Sequence, residues 1–187
     1  MLIFRKKSTP HEPISVNSCQ VQQIERYKYV CIVMDSRLEW HAHVDYLNKK
    51  LRSRLYCLRK MKKFQVDNKI LQLFYNAVIE SVWNYCISCW GGNITGGDVN
   101  RIRAHIKQCQ DMTCENLKTF HKSYYGAIFK KFTKIMGDNT HALHGTFANA
   151  TSPRSSIMIL PYAKTNRHKQ SFVPQAMRQY NTNYQRH

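Results

Sequence analysis

His41–Lys63 reads HAHVDYLNKKLRSRLYCLRKMKK. Val44, Leu47, Leu51, Leu55, Leu58 and Met61 recur at three- and four-residue spacing, which is one face of a helix. The remaining positions carry Lys49, Lys50, Arg52, Arg54, Arg59, Lys60, Lys62 and Lys63, with Asp45 the single acid in the segment. Asp45 sits near the N-terminal end and the cations near the C-terminal end, as the helix dipole favours. An ordinary surface helix interleaves Glu with Lys for i,i+4 support, and this one does not. The basic side is therefore a candidate surface for phosphates, set against the simpler reading of a solvated face. Lys and Arg in such a place grip backbone and do not read bases.

The whole chain shares that bias. Its 187 residues hold 29 Lys and Arg against 11 Asp and Glu, a net charge of +18. Such a surplus repels itself in a compact state, and a polyanion relieves it. Nucleic acid is the first candidate partner, because neutralising phosphates releases condensed counterions. Hydrophobic residues at 43% and aromatics at 12% argue against wholesale disorder. Seven cysteines, odd in number and irregular in spacing, with no signal peptide, point to reduced thiols in an intracellular protein. The apolar run Ile70–Trp90 is long enough to cross a bilayer. Gln72, Asn76, Glu80 and Asn84 draw a polar stripe along it, however, so a buried amphipathic helix fits better, with no membrane partner.

Working outward from the basic helix, Arg5–Pro13 reads as a polar linker within residues 1–13. Residues 14–35 carry β-prone runs at Ile14–Val16, Val21–Ile24 and Tyr27–Met34, with Asn17-Ser18 a turn between the first two. The third run, YKYVCIVM, is expected to be one strand buried on both faces, with Tyr27 and Tyr29 packed in it. Downstream, Asp67 can cap a helix running to about Trp90, with Ile70, Phe74, Ala77 or Val78, Ser81, Val82 and Tyr85 inward. Gly91-Gly92 ends it. Asp98 can cap a third helix, Val99 to about Met112. A fourth spans about Leu117–Met136 with Phe120, Tyr124, Ile128, Phe132 and Ile135 in phase. A short helix at His141–Phe147, a brief strand at Ile157–Leu160 and a last helix at Val173–Tyr180 complete the reading. The expected fold is mostly α, a helical bundle with a small N-terminal β appendage. It divides into residues 36–113 and a C-terminal helical region with a basic tail, 114–187.

Two blocks carry a family resemblance. The first is YKYVCIVMDSRLEWHAHVDYLNKKLRSRLYCLRKMKKF, followed by LQLFYNAVIESVWNYCISCWGGN. It resembles the segment just after the catalytic palm of non-LTR (LINE-type) retrotransposon reverse transcriptases, where a YKYLG strand ends the palm and two helices build the thumb. The second block, LPYAKTNRHKQSFVPQAMRQYN, is similar to the family's C-terminal signature. The resemblance covers roughly Ile14–Asn181. It implies that residues 14–35 are the end of a palm, that 36–113 are thumb-like, and that the missing palm and fingers are a possible partner. Val30-Cys31 stand where the family has Leu-Gly, a replacement that can disturb a close backbone approach. Arg101–Thr113 matches weakly, the drift expected of a decayed copy.

The family's polymerase chemistry needs an aspartate pair to hold two metal ions. No Asp-Asp pair occurs in this chain, so the expectation is a non-catalytic fragment with no cofactor and with RNA or DNA phosphate backbone as partner. The competing reading is an enzyme, as part of a longer polyprotein or through the second resemblance given below, and a third is a translated relic without a role. The tail residues Lys164, Arg167 and Lys169, with Tyr162 and His168, form a second candidate surface for single strands.

Residues of about Val21–Phe64 are also similar to a short segment named for the N-terminal region of the eighth AlkB homologue, which would imply oxygenase or methyltransferase chemistry. His43-Val44-Asp45 is formally the start of an iron-binding triad. It falls at the opening of a predicted helix, without jelly-roll strands or a recognisable distal His–Arg pair. No glycine-rich loop after a strand suits S-adenosylmethionine. Cys86 and Cys89 with Cys109 and Cys114 can be written as a zinc site, but buried inert thiols are the commoner outcome.

Overall fold

The computed structural model describes residues 14–152 and 156–184. The 1–13 linker and part of the loop after Thr151 lie outside the described residues. The fold is mostly α, with two small antiparallel β hairpins at the start.

The first hairpin pairs β1 (Ser15–Val16) with β2 (Cys19–Gln20) around Asn17-Ser18. Both turn residues are left-handed, φ 50° and 64°, a conformation Asn tolerates well. The second pairs β3 (Arg26–Tyr29) with β4 (Ile32–Asp35), Tyr29 opposite Ile32. Two expectations are corrected here. Val21–Ile24 is not a strand, and YKYVCIVM is not one buried strand but a hairpin folded back at Val30-Cys31, φ 41° and 69°. β4 packs on α1, while β3 is exposed and Tyr27 and Tyr29 are 49% and 60% accessible.

Asp35 then closes the link into the helices. Its carboxylate accepts the backbone N–H groups of Arg37 at 2.9 Å, Glu39 at 3.2 Å and Trp40 at 3.2 Å. Helix α1 (His41–Lys63) follows, and Val44, Leu47, Leu51, Leu55 and Leu58 are buried as their spacing predicts, with Met61 half-buried. It packs both against α5 (Gly96–Thr113) and against the Ile70–Trp90 segment.

The second helix is not continuous. It runs as α2 (Asn68–Phe74), a π turn (Tyr75–Glu80), α3 (Ser81–Asn84), a break at Tyr85-Cys86, and α4 (Ile87–Trp90). Asp67 does cap it, accepting the Lys69 N–H. The expected inward face was wrong by about one residue: Leu71, Tyr75, Ile79, Trp83, Ile87 and Trp90 are buried, while Ile70 is exposed. Steps of four on a regular α-helix would put Leu71 and Trp83 about 120° apart. The wider π turn takes up that drift and keeps both inward. At the break Cys86 is left-handed, φ 48°, and Trp90 Nε1 donates to the Tyr85 carbonyl at 2.9 Å.

α5 is capped by Thr95, not by Asp98. The Thr95 hydroxyl accepts the Asp98 N–H at 3.2 Å and donates to the Asp98 carboxylate at 2.8 Å, a cap that takes Gly96 and Gly97 into the first turn. α6 (Phe120–Met136) buries Phe120, Tyr124, Ile128, Phe132 and Ile135 as expected. A β-carbon on Gly92 would overlap the Tyr124 hydroxyl and the Gln170 carbonyl, so the glycine lets α6 come close. After α7 (His144–Ala148) and α8 (Asn166–Lys169), α9 (Phe172–Tyr184) lies on α6, with the Phe132 and Tyr180 rings 5.5 Å apart. The expected strand Ile157–Leu160 reduces to one bridge, Met158 to Thr151. The Asn181 side chain takes up both backbone groups of Met158 at 2.9 Å.

Candidate nucleic-acid interface

With its apolar stripe sealed, α1 turns its cations outward along both flanks. Lys49, Arg52 and Lys63 are exposed and Arg54 is half-buried. Lys50 Nζ sits 4.6 Å over the Tyr46 ring, with Lys28 of β3 on the same ring at 4.8 Å. The Lys50 ammonium, and after it that of Lys28, hold the Tyr46 phenol below its ordinary pKa against the opposing pull of desolvation. Lys60 stands 5.5 Å over Tyr56, Lys62 Nζ donates to Asn68 Oδ1 at 3.2 Å, and Arg59 Nη2 donates to Gln108 Oε1 at 2.9 Å.

None of these eight cations is ion-paired among the described residues. The carboxylates near α1 are engaged elsewhere. Arg101 of α5 reaches Asp45 at 2.6 Å and Asp98 at 3.2 Å, and His41 Nδ1 lies 2.6 Å from the other oxygen of Asp98. Asp98 is 2% accessible, so this cluster is a pin between the helix N-termini rather than part of the cationic surface.

The α1–α5 seam adds residues the sequence reading missed. His105 Nε2 is 3.0 Å from Asn48 Oδ1. Burial first, then the charges of Arg52, Arg101 and Arg59, push the His105 pKa down. Three cationic side chains from the two helices thus act on one imidazole at the seam. The available signal was Arg101 and His105 at i,i+4 spacing, on the same flank of α5, but only the pairing of α5 with α1 makes them neighbours of Arg52 and Arg59.

The tail candidates lie elsewhere. Lys164, Arg167 and Lys169 are exposed, and Arg167 donates to the backbone carbonyl of Arg37, just ahead of α1. Lys60, Lys62 and Lys63 occupy the opposite end of α1, roughly 30 Å away at 1.5 Å per residue. The tail cluster is thus remote from the far end of the α1 surface, while Lys49 and Lys50 lie only about 12 Å along the helix from its start. Tyr162, 88% accessible, stands free beside the tail cluster.

The iron-type and zinc-type patterns do not converge. His43 is buried, its Nδ1 accepting the Val33 N–H at 3.3 Å. Asp45 is exposed, about 200° further round the helix, on the side that meets Arg101. Cys86, Cys89 and Cys114 are exposed and Cys109 is buried, its thiol pushed up to about 12 by desolvation. Among the described residues no group of three or more His, Cys, Asp or Glu side chains is placed to share a metal ion. Nor is any described helix long and apolar enough to cross a membrane.

A family model described as "Alkylated DNA repair protein alkB homolog 8, N-terminal" matches residues 40–81. The match begins at Trp40, not near Val21, so it leaves out both β hairpins and takes in α1, α2 and the π turn. It covers less than a quarter of the chain. No curated protein and no solved structure matches.

Proposed function

We propose that this chain is a non-catalytic, nucleic-acid-binding element of the reverse-transcriptase thumb type, gripping phosphate backbone along α1 and its seam with α5. The observation that carries the reading is the row of eight cations on one helix with no carboxylate set against them. A protein that kept these charges only for solubility would gain helix stability from interleaved Glu, and α1 forgoes it. The retroelement reading rests on the quoted sequence blocks at both ends of the chain. The AlkB-homologue similarity falls on the α1–α2 helical hairpin, the part that bears the basic surface, and His43 and Asp45 within it point apart.

The test is the salt dependence of binding. If about five cations touch phosphates, log K falls against log salt with a slope of roughly −3.5 to −4.5. Changing Lys49, Arg52, Arg59 and Lys63 to Gln flattens that slope by about 2 to 3 and weakens RNA and DNA alike. An unchanged slope assigns α1 to solvent and ends the proposal. Primer extension with Mg²⁺ gives no product; incorporation surviving stringent purification overturns the non-catalytic half.

A further inference from the structure

Helix α5 has a second polar edge, turned from α1 toward α6. Along it stand Asn100, Arg103 and Lys107, all exposed. At one end of this edge Gly92, in the link between α4 and α5, lies close to Tyr124 of α6. Beside that point the two helices leave a cavity of about 300 Å³ lined by Gly92, Asn100, Arg103, His121, Tyr124 and Tyr125. A second hollow of about 540 Å³ shares Asn100 and Arg103 and extends to Lys107, Gln110 and Thr119. Shared walls make the two one groove.

Its chemistry is that of a planar, anionic ligand. The His121 and Tyr125 rings are stacked, centroids 6.1 Å apart and planes 21° from parallel, and Tyr125 remains 38% accessible. Burial and then the Arg103 charge lower the His121 pKa, so the imidazole is neutral near pH 7 and offers an aromatic face. Arg103 lines the same hollow as the ring pair, and Lys107, four residues on, lines the adjoining one. Asp111, at the far end, is the one carboxylate in the groove wall.

We propose that the α5–α6 groove seats an unpaired nucleotide of a single strand, its base stacked on the His121–Tyr125 pair and its phosphate held by Arg103 and Lys107. A base held in a duplex keeps its faces against its neighbours and cannot enter, so this site discriminates single strands from duplex. It rests on the nucleic-acid reading and adds strand selectivity, which the α1 surface lacks.

The experiment uses the full chain with a twelve-nucleotide oligouridylate carrying 4-thiouridine and a twelve-base-pair RNA duplex. Changing His121 and Tyr125 together to Ser lowers single-strand affinity about tenfold and leaves duplex affinity alone. Tyr125→Phe keeps wild-type affinity, since the ring and not the hydroxyl is used. On the wild-type protein, photocrosslinking places the thiouridine on the peptide holding His121 and Tyr125, which keeps the test valid should the double variant misfold. Equal losses on both probes, no loss on either, or a crosslink confined to other segments overturns the groove site. If duplex binding responds to the α1 glutamine variant while the groove tests fail, only this inference falls. If neither probe binds at all, both fall.

Discussion

His105 Nε2 meets Asn48 Oδ1 at 3.0 Å across the α1–α5 seam, and the other ring nitrogen, Nδ1, has no partner among the described residues. Burial and then Arg52, Arg101 and Arg59 hold the ring's pKa below the ordinary imidazole value. Phosphate oxygens arriving on Arg52 and Arg59 would cancel part of that repulsion and raise the His105 pKa. Binding then takes up a proton, so affinity rises as pH falls from 7.5 to 5.5, by at most about tenfold per pH unit for one proton. His105→Gln, which keeps a donor for Asn48, removes this component. Dissociation constants measured across that range at fixed salt check it; parallel curves for the two proteins would refute the linkage.

A second histidine governs stability rather than binding. His43 is packed among Trp40, Tyr46 and Trp90, and desolvation lowers its pKa to about 4. The unfolded chain binds the proton near 6.5, so stability is full above pH 6.5 and is lost as pH falls toward 4. The ceiling on that loss is about 3 kcal/mol. His43→Leu flattens this part of the profile while losing the Val33 hydrogen bond, roughly 1 kcal/mol at neutral pH. Urea titrations at pH 7.5, 6 and 5 measure both effects.

Asp45 and Asp98 share Arg101 but differ in consequence. Asp98 is buried and takes bonds from Thr95, His41 and Arg101, whereas Asp45 is exposed. Asp98→Ala is expected to cost roughly 3 kcal/mol, because Thr95, His41 and Arg101 lose the buried carboxylate they share. Asp45→Ala is expected to cost less than about 1 kcal/mol. Equal costs in denaturant titration would contradict this division.

Val30 and Cys31 occupy left-handed positions that two-residue hairpins reserve for Asn-Gly. Replacing them with Asn and Gly relieves roughly 1 to 3 kcal/mol of local strain. The gain is expected in slower amide exchange at Arg26–Asp35 and not in the core melting of α1, since β3 is exposed.

The parts of the fold legible in the sequence are those where spacing and local chemistry agree. α1 and α6 each present one uninterrupted apolar stripe, and both buried the residues that stripe names. The Tyr27–Met34 hairpin was hidden because Val-Cys carries no turn signal, so β-branched composition read as one strand. The second helix was misphased because steps of four are ambiguous until a π turn is admitted. Asp98 was taken for a cap because glycines rarely open a helix interior, yet Thr95 caps ahead of them. For the candidate surface, the α1 cations were readable from one helix alone. Their meeting with Arg101 and His105, and the separation of the tail cluster from the far end of α1, depend on how distant segments pack, which no local pattern encodes.

The π turn at Tyr75–Glu80 also bears on what the gene can tolerate. Such a turn holds one residue more than an α-helix needs to connect the same two ends. Losing one codon between Asn76 and Val78 would turn the inward spacing from four, four, four into four, three, four, the repeat of a regular helix. Leu71, Tyr75 and Trp83 would stay in the core. The same loss inside α1 would swing everything after it by about 100° and bring cations onto the buried side. A lineage of such chains can therefore shed a residue at the π turn and keep its fold, while α1 holds its length.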